Sequence, residues 1–304
     1  MKLFTFLTSE GHSRVGASID FQPASGKIHD ISHLFPTMLD LIQAGPDGLT
    51  AVRAAMNQHA PAVDLSAVTL LAPVPEPRRN VFCVGWNYLK HFNEGKAFRG
   101  NKDVELPAYP TFFSKSTRTV VGPGATVPFD SSISEQMDYE AEVAIIIGRE
   151  GVNISASDAF QYIFGYTLAN DISARTLQKR HGGQWLKGKS LDGTCPLGPA
   201  IITSDEIASV EDLTIRCRVN GELRQNATLR QLIFPIAQLI EHLSEGMTLL
   251  PGDIFLTGTP DGVGMGHNPP VFLRPGDEMI VESDQLGALS NVMGPDRRAN
   301  SPGN

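Results

Sequence analysis

The sequence predicts a mostly β fold of the α+β class, in which a small N-terminal α/β domain precedes a larger domain. Short apolar runs separated by turn residues dominate the chain, and only a few segments have helical periodicity. The chain has 304 residues, of which 29 are glycine and 21 are proline, scattered as expected for many short strands and turns. This order argues against a doubly wound parallel sheet.

The small N-terminal domain is predicted to span residues 1–75. Residues 3–7 and 15–19 are predicted strands, and residues 37–42 and 49–58 are predicted helices separated by the turn sequence Gly-Pro-Asp-Gly. A proline-rich joint, Ala-Pro-Val-Pro-Glu-Pro, closes the domain because proline fixes φ and cannot donate to a strand ladder.

The larger domain is predicted to span residues 76–304. One later helix is expected over residues 233–243, with Pro235 in its first turn. Residues 87–109 are polar and irregular, which is typical of a lid. The remaining apolar runs predict strands at 80–85, 111–113, 139–147, 162–169, 213–219, 253–256 and 278–281.

Composition excludes several classes of protein. The 25 Lys and Arg against 33 Asp and Glu give a net charge of −8, which argues against nucleic acid as a partner. No apolar run approaches the roughly 18 residues that span a membrane, and the first residues lack the apolar centre of a signal peptide. The three cysteines have no zinc-site spacing, so we expect buried thiols in a cytoplasmic protein.

The stretch Asp138-Tyr139-Glu140-Ala141-Glu142 is the strongest chemical signal in the chain. In a strand, its three acidic side chains would share one face, where like charges repel. The apolar run that follows suggests that this strand is buried, so a positive group must compensate, and a hard divalent cation such as Mg²⁺ fits carboxylate ligands. A solvated strand face is the alternative for this pattern taken alone.

Asp171 is a third candidate ligand. It follows an apolar run at a point where we expect a helix to begin, and a role as helix N-cap is the alternative. If residues 172–180 are helical, Arg175 and Gln178 lie three apart on one face, next to the cation. An ordinary exposed basic helix is the other interpretation of this segment.

Residues 183–190 fit the phosphate-binding pattern GxxxxGK[ST]. That motif requires a buried strand before it and a helix after it, whose N-terminus receives the phosphate. The flanking sequences predict neither, so we do not expect a nucleotide-binding ATPase. Lys189 is instead interpreted as a single lysine facing the acidic site, with an exposed loop lysine as the alternative.

Together these motifs resemble the fumarylacetoacetate hydrolase family over about residues 75 to 293. The resemblance is carried by Gly85-Trp86-Asn87-Tyr88 with His91, Asp138-Tyr139-Glu140-Ala141-Glu142, Gly165-Tyr166-Thr167, Asn170-Asp171-Ile172-Ser173-Ala174-Arg175, Gly188-Lys189-Ser190-Leu191-Asp192 and Thr257-Gly258-Thr259-Pro260-Asp261-Gly262-Val263-Gly264.

The resemblance implies a mixed β-roll catalytic domain, a homodimer, and a small-molecule 2-oxo acid as substrate. It also implies Mg²⁺, or Mn²⁺, as the cofactor. By the same resemblance, each chemical role falls on a set of residues: metal binding on Glu140, Glu142 and Asp171, substrate binding on Arg175, Gln178 and Thr259, and catalysis on Lys189 with the lid pair His91 and Glu94.

The pair His91 and Glu94 makes the chain most similar to acylpyruvase-like and oxaloacetate-decarboxylating members. We therefore expect a metal-dependent hydrolase that cleaves the C–C bond of a 2,4-dioxo acid, such as fumarylpyruvate or maleylpyruvate, in aromatic catabolism. The metal would chelate the 2-oxo acid, and His91 with Glu94 would activate water. Oxaloacetate decarboxylation and isomerisation or hydration of a 2-hydroxy-dienoic acid are the alternatives. A non-catalytic ligand-binding protein is the alternative from a different class.

Overall fold

The computed structural model describes residues 1–19, 26–58, 61–96 and 105–300. Residues 97–104 of the predicted lid lie outside this part of the chain. The mostly β prediction is confirmed, and the described strands are β1 (Lys2–Leu7), β2 (Ser13–Ser18), β3 (Lys27–Asp30), β4 (Ala62–Asp64), β5 (Thr69–Leu70), β6 (Val81–Gly85), β7 (Thr111–Lys115), β8 (Val120–Val121), β9 (Thr126–Phe129), β10 (Met137–Asp138), β11 (Ala141–Ile147), β12 (Ile163–Asn170), β13 (Ser173–Ala174), β14 (Cys195–Thr203), β15 (Thr214–Val219), β16 (Glu222–Thr228), β17 (Ile254–Leu256), β18 (Glu278–Ser283) and β19 (Gly287–Asp296).

The α-helices of the described chain are few, and most of them are short. They are α1 (Met38–Asn57), α2 (Leu89–Glu94), α3 (Arg175–Arg180), α4 (Leu186–Lys189) and α5 (Ile236–Ser244). No helix in the described ranges combines the length and the apolar character that crossing a membrane would require.

One large mixed sheet carries most of the strands. Its order is β4-β3-β2-β1-β14-β12-β11-β17-β6-β7, with β5 paired to β1 and β8 paired to β14, and a second sheet has the order β16-β15-β18-β19-β9. The N-terminal strands join the large sheet where Lys2 of β1 lies opposite Ile202 of β14. The large sheet therefore contains strands from both sides of residue 75. The division of the chain into two domains at that residue stays a prediction.

The central strand β11 is buried on both faces, which explains its unbroken apolar run. Val143 and Ile145 face one hydrophobic cluster, while Ala144 and Ile146 face another on the opposite side of the sheet. Because successive side chains in a strand point to opposite faces, a strand between two apolar layers needs apolar residues at every position. The observed strand β11 is shorter than the strand predicted at 139–147, because it begins at Ala141 and leaves out Tyr139 and Glu140.

The two predicted N-terminal helices are the halves of the kinked helix α1. Gly45, with φ of 56°, and Pro46 break its regular geometry. The expectation that Pro235 lies within the first turn of a helix is wrong, because α5 begins at Ile236. Asn87 accounts for the later start: its backbone carbonyl accepts from Ile233 N and its side chain accepts from Phe234 N, both at 2.8 Å.

The central strand gives a direct test of this core. Ile145→Ala should lower the free energy of unfolding by about 2–5 kcal/mol, because the side chain is fully buried and its truncation leaves a cavity. Ile19→Ala is the matched control, since Ile19 is 56% exposed and its truncation should change stability by about 0.5 kcal/mol or less. Denaturant unfolding measures both. Equal losses for the two variants would contradict the assignment of β11 to the core.

Candidate active site

Strand pairing brings the three predicted carboxylates together. In the antiparallel pair of β11 and β12, Ala141 lies opposite Asn170, so Glu140, Glu142 and Asp171 meet at one end of the sheet. Backbone bonding tightens this meeting, because Asp171 N donates to the Glu140 carbonyl at 2.8 Å. The three side chains are buried, and one ligand atom from each lies within 4.8 Å of the others.

The local structure around Asp171 differs from the expectation that a helix begins there. Asp171 follows β12, and the short strand β13 separates it from α3, which begins at Arg175. That expectation is wrong because residues 173–174 pair with β10 rather than continuing into a helical turn. Asp171 is therefore not the N-cap of this helix.

Three buried cations neutralise the acidic cluster. Lys189 Nζ lies 2.6 Å from Glu140 Oε2 and 2.7 Å from Asp171 Oδ2, which ties two of the carboxylates together. Lys115 Nζ lies 2.8 Å from the second oxygen of Asp171. The Arg175 guanidinium lies 2.7 Å from Glu140 Oε1. These ion pairs offset the cost of burying the charged groups of Glu140 and Asp171.

Asp138 is separated from the cluster, although it shares the acidic pattern. Its carboxylate accepts from Arg175 Nε at 2.8 Å, from Gly264 N at 2.6 Å and from Met265 N at 3.1 Å. It therefore holds Arg175 and the glycine-rich loop that contains Gly264. The proposed single acidic face of Asp138, Glu140 and Glu142 is incorrect, because the chain passes from β10 to β11 between these residues.

The ionisation of the two glutamates differs because, among the described residues, only Glu140 forms ion pairs. Burial opposes ionisation of Glu140, but Lys189 and Arg175 outweigh that effect and lower its pKa to about 2. Burial raises the pKa of Glu142 well above its usual value, and the charges of Asp171 and Glu140 raise it further. Lys189 is buried too, which disfavours its charge, yet Asp171 and Glu140 raise its pKa.

The donor set fits a hard divalent cation. Glu142 accepts a hydrogen bond from Gly258 N, and among the described residues it has no ion-pair partner. Asp171 Oδ1 lies beside Lys115 Nζ without hydrogen-bond geometry. Carboxylate oxygens in this arrangement are the ligands that Mg²⁺ and Mn²⁺ favour. Glu140, Glu142 and Asp171 are thus the residues that would hold such an ion.

His91 and Glu94 lie on α2 and form a hydrogen-bonded pair. His91 Nδ1 is 2.7 Å from Glu94 Oε1, and both side chains are mostly shielded from solvent. The other carboxylate oxygen of Glu94 accepts from Gly262 N at 2.9 Å. With Glu94 accepting from Nδ1–H, the tautomer is set and Nε2 remains able to accept a proton.

These groups face a single cavity of about 300 Å³. The sequence-predicted residues that line it are His91, Glu140, Glu142, Arg175, Gln178, Lys189 and Thr259. Glu94 and Asp171 do not line it, but Glu94 is paired with His91 and Asp171 is paired with Lys189. A base, a carboxylate cluster and a buried lysine thus share one space that a small organic acid can enter.

The predicted substrate contacts are already engaged with protein groups. Arg175 Nη1 donates to Gln178 Oε1 at 3.0 Å, in addition to its ion pairs with the acidic cluster. Thr259 Oγ1 accepts from Gln225 Nε2 at 2.8 Å. Their role in substrate binding stays a prediction, and the structure adds that Arg175 stabilises the acidic cluster.

Sequence reasoning missed Lys115, Gln225 and an aromatic wall. Lys115 ends an apolar strand, and only its meeting with Asp171 reveals its role. Trp86 and Trp185 pack edge to face with ring centroids 4.8 Å apart. Both line the cavity with Phe113. Gly85 was a possible signal of this close aromatic packing, because a Cβ at that position would lie 2.2 Å from the Trp185 ring.

The structure supports rejecting the nucleotide motif. Residues 183–190 contain the four-residue helix α4 instead of preceding a helix, and in the described chain the next element is the strand β14. Lys189 is 2% exposed and pairs with carboxylates, so the exposed-loop alternative is wrong. All three cysteines are buried free thiols, as expected.

Comparison with known proteins agrees with the fold and with these motifs. The family described as fumarylacetoacetate (FAA) hydrolase C-terminal matches residues 80–293. An oxaloacetate tautomerase of Bacillus subtilis is 42% identical over 284 residues, covering 91% of this chain and 92% of its own length. A mitochondrial oxaloacetate tautomerase of Rattus norvegicus is 44% identical over 259 residues, covering 84% and 79% respectively.

Solved structures show the same architecture. A fumarylacetoacetate hydrolase of Exiguobacterium antarcticum superimposes with a TM-score of 0.81 at 36% identity, covering 97% of this chain and 99% of the other. A maleylpyruvate hydrolase of Sphingobium sp. SYK-6, in complex with manganese(II) and pyruvate, has a TM-score of 0.77 at 29% identity, covering 97% and 100%. The mixed β-roll expected from the motifs is therefore confirmed.

Cation binding should release a proton from the cluster. Burial and the charges of Asp171 and Glu140 raise the pKa of Glu142, so at pH values below that raised pKa its carboxyl carries a proton that a divalent cation must displace. Affinity for Mg²⁺ or Mn²⁺ should therefore fall as the pH decreases through that pKa. Calorimetric titration in buffers of different ionisation enthalpy measures the released protons.

Glu142→Gln is the decisive variant in this titration. It should weaken cation binding and remove most of the buffer dependence, because glutamine carries no proton to release. Glu211→Gln is the control, since Glu211 lies in a surface turn remote in sequence from the cluster. A wild-type binding enthalpy that is the same in all buffers would contradict this account.

Proposed function

We propose, because this chain belongs to the fumarylacetoacetate hydrolase family of enzymes, that it catalyses keto–enol tautomerisation of a 2-oxo acid, with oxaloacetate as its substrate. One observation carries the proposal: His91, which is paired with Glu94, lines the same cavity as Glu140 and Glu142 of the carboxylate cluster. The relatives named oxaloacetate tautomerase, at 42% and 44% identity, support this reaction.

The reaction moves one proton and needs one well-placed base. The enol of oxaloacetate loses the proton of its C2 hydroxyl and gains a proton at C3, while the double bond shifts from C2–C3 to C2–O. His91 is the group that takes up and returns the proton, because Glu94 holds its Nδ1–H and leaves Nε2 for exchange. Gly262 N holds Glu94 in turn, which restricts the imidazole to one orientation.

The charged residues that line the cavity would bind the carboxylate and the 2-oxo group of the acid. A divalent cation held by Glu140, Glu142 and Asp171 would supply Lewis-acid polarisation of the 2-oxo group. Lys189 adds positive charge beside that group, where exclusion of water strengthens its effect. Trp86, Phe113 and Trp185 also line the cavity, and the Phe113 ring centroid lies 5.1 Å from Lys189 Nζ. Mg²⁺ or Mn²⁺ is our proposal for the ion.

Hydrolysis of an acylpyruvate is the second candidate, and it is the reaction that the motifs alone favour. The same His91–Glu94 pair can draw a proton from water, which then attacks the distal carbonyl. The structural similarity to a maleylpyruvate hydrolase supports it. We place it second because the relatives that share 42% and 44% identity are named for tautomerisation.

A direct assay separates these reactions. The enol of oxaloacetate is followed by its ultraviolet absorbance after dilution into buffer with Mg²⁺ or Mn²⁺, and the enzyme should accelerate its decay. Pyruvate formation from oxaloacetate reports decarboxylation, and pyruvate formation from acetylpyruvate, fumarylpyruvate and maleylpyruvate reports hydrolysis. No acceleration of the enol decay beyond the buffer rate would overturn the proposed function.

The base assignment is tested by His91→Gln. It should lower kcat for the accelerated reaction by about 10²–10⁴-fold, since a positioned general base contributes that much. Cation binding should stay within twofold of wild type by calorimetry, because His91 is not one of the clustered carboxylate ligands. His12→Gln is the control, as the His12 side chain is 63% exposed. An unchanged kcat for His91→Gln would remove His91 from the mechanism.

A further inference from the structure

The glycine-rich loop, residues 257–266, follows β17 and binds both the carboxylate cluster and the His91–Glu94 pair. Its Gly258 N donates to Glu142 Oε2 at 2.5 Å, and its Gly262 N donates to Glu94 Oε2 at 2.9 Å. One loop therefore contacts a carboxylate of the cluster and the carboxylate that orients His91. A shift of this loop would move Glu94 relative to Glu142.

The glycine-rich loop fits closely around the Glu94 carboxylate. Gly262 has a φ of 99°, and a Cβ at that position would lie 1.9 Å from the Arg224 carbonyl oxygen. Both the positive φ and this close approach require glycine. A Cβ at Gly266 would lie 2.5 Å from Glu94 Oε2. Small displacements of the loop backbone would therefore disturb the placement of Glu94.

The residues just before β11 hold this loop in place. The Asp138 carboxylate accepts from two backbone N–H groups of the loop, at 2.6 and 3.1 Å. The hydroxyl of Tyr139 donates to the Gly262 carbonyl at 2.9 Å and lies 3.5 Å from His267 Nε2. Glu140, the next residue, belongs to the carboxylate cluster. A short stretch of chain thus carries a cluster residue and two residues that bind the loop.

Gly262 is held through both of its backbone polar groups. Its carbonyl accepts from the Tyr139 hydroxyl, and its N–H donates to Glu94. Glu94 in turn lies 2.7 Å from His91 Nδ1 through its other oxygen. Because the two peptide units of Gly262 share one Cα, a displacement of its carbonyl also displaces its N–H. A series of three hydrogen bonds therefore joins the Tyr139 hydroxyl to the imidazole.

We propose that Tyr139 is a positioning residue that orients His91 by fixing Gly262 and, through it, the Glu94 carboxylate. Tyr139 is not among the described residues that line the cavity, so it acts through the loop and not on the substrate. Its buried side chain holds the loop from the side of the carboxylate cluster. This inference rests on the proposed function for the reaction that is measured, and it adds a residue on which His91 depends.

Tyr139→Phe removes only the hydroxyl that binds Gly262. It should lower kcat about three- to tenfold, the change expected for loss of one hydrogen bond. The KM for oxaloacetate and the Kd for Mg²⁺ or Mn²⁺ should stay within twofold of wild type, because the cavity lining and the carboxylate ligands are unchanged. Tyr166→Phe is the matched control, since Tyr166 is equally buried but lies on β12 opposite Ile145.

A double-mutant cycle tests whether Tyr139 acts through Glu94. Once Glu94 is replaced in Glu94→Ala, the Gly262 N–H has no carboxylate to hold. Adding Tyr139→Phe to that variant should therefore lower kcat less than twofold further, because effects that pass through one shared group are not additive. Full multiplication of the two single effects would overturn the proposed path.

Nitrogen-15 NMR of histidine-labelled protein reads the His91 tautomer without turnover. The His91 signals are assigned by their loss in His91→Gln. In the wild type, Nδ1 should carry the proton, because Glu94 accepts from it. Tyr139→Phe should shift these signals toward a mixture of the two tautomers. Tyr166→Phe should leave them unchanged.

The outcomes separate this inference from the proposed function. An unchanged His91 tautomer in Tyr139→Phe overturns the inference, even if the wild type is a tautomerase. An equal effect of Tyr166→Phe also overturns it, because a general loosening of the core then replaces a specific contact. If the tautomer depends on Tyr139 but the wild type does not accelerate decay of the enol, the proposed reaction fails and the positioning of His91 by Tyr139 stands.

Discussion

A buried cluster of opposite charges is the constraint on which the rest of this site depends. Glu140, Glu142 and Asp171 converge where water is excluded, and their repulsion would destabilise the fold without compensation. Lys115, Lys189 and Arg175 supply that compensation, yet Glu142 is left without an ion-pair partner among the described residues. Glu140 and Asp171 are thus paired with protein cations, whereas Glu142 is the carboxylate left for an added cation.

The same centre is compatible with both of the reactions proposed above. In the proposed function, the charged residues of the cavity would bind the carboxylate and 2-oxo group of the acid, and His91 would carry out the proton transfer. There, the His91–Glu94 pair would pass a proton to carbon or draw one from water, so the substrate tail and the admission of water would decide between tautomerisation and hydrolysis. Residues of α3 and the aromatic residues Trp86, Phe113 and Trp185 line this cavity.

Much of the fold follows from local patterns, and the wrong expectations arise where contacts between distant segments override those patterns. The unbroken apolar runs of β11 and β12 predict buried strands because both faces meet apolar layers. The helix expected at Asp171 is absent because residues 173–174 find a strand partner in β10, a contact between distant segments. The start of α5 is displaced for the same kind of reason, since Asn87 binds the preceding backbone.

The sequence by itself determined the family resemblance and the mostly β class, because these depend on residue types in short motifs, and through the resemblance it predicted the three carboxylates that the structure brings together. Only the tertiary structure decided which charges neutralise one another. Lys115 has no signal of its own, since its partner Asp171 is 56 residues away and reaches it only after β7 and β12 take their places in one sheet. Burial then makes the pairing obligatory, because an isolated charge in that position would be too costly to retain.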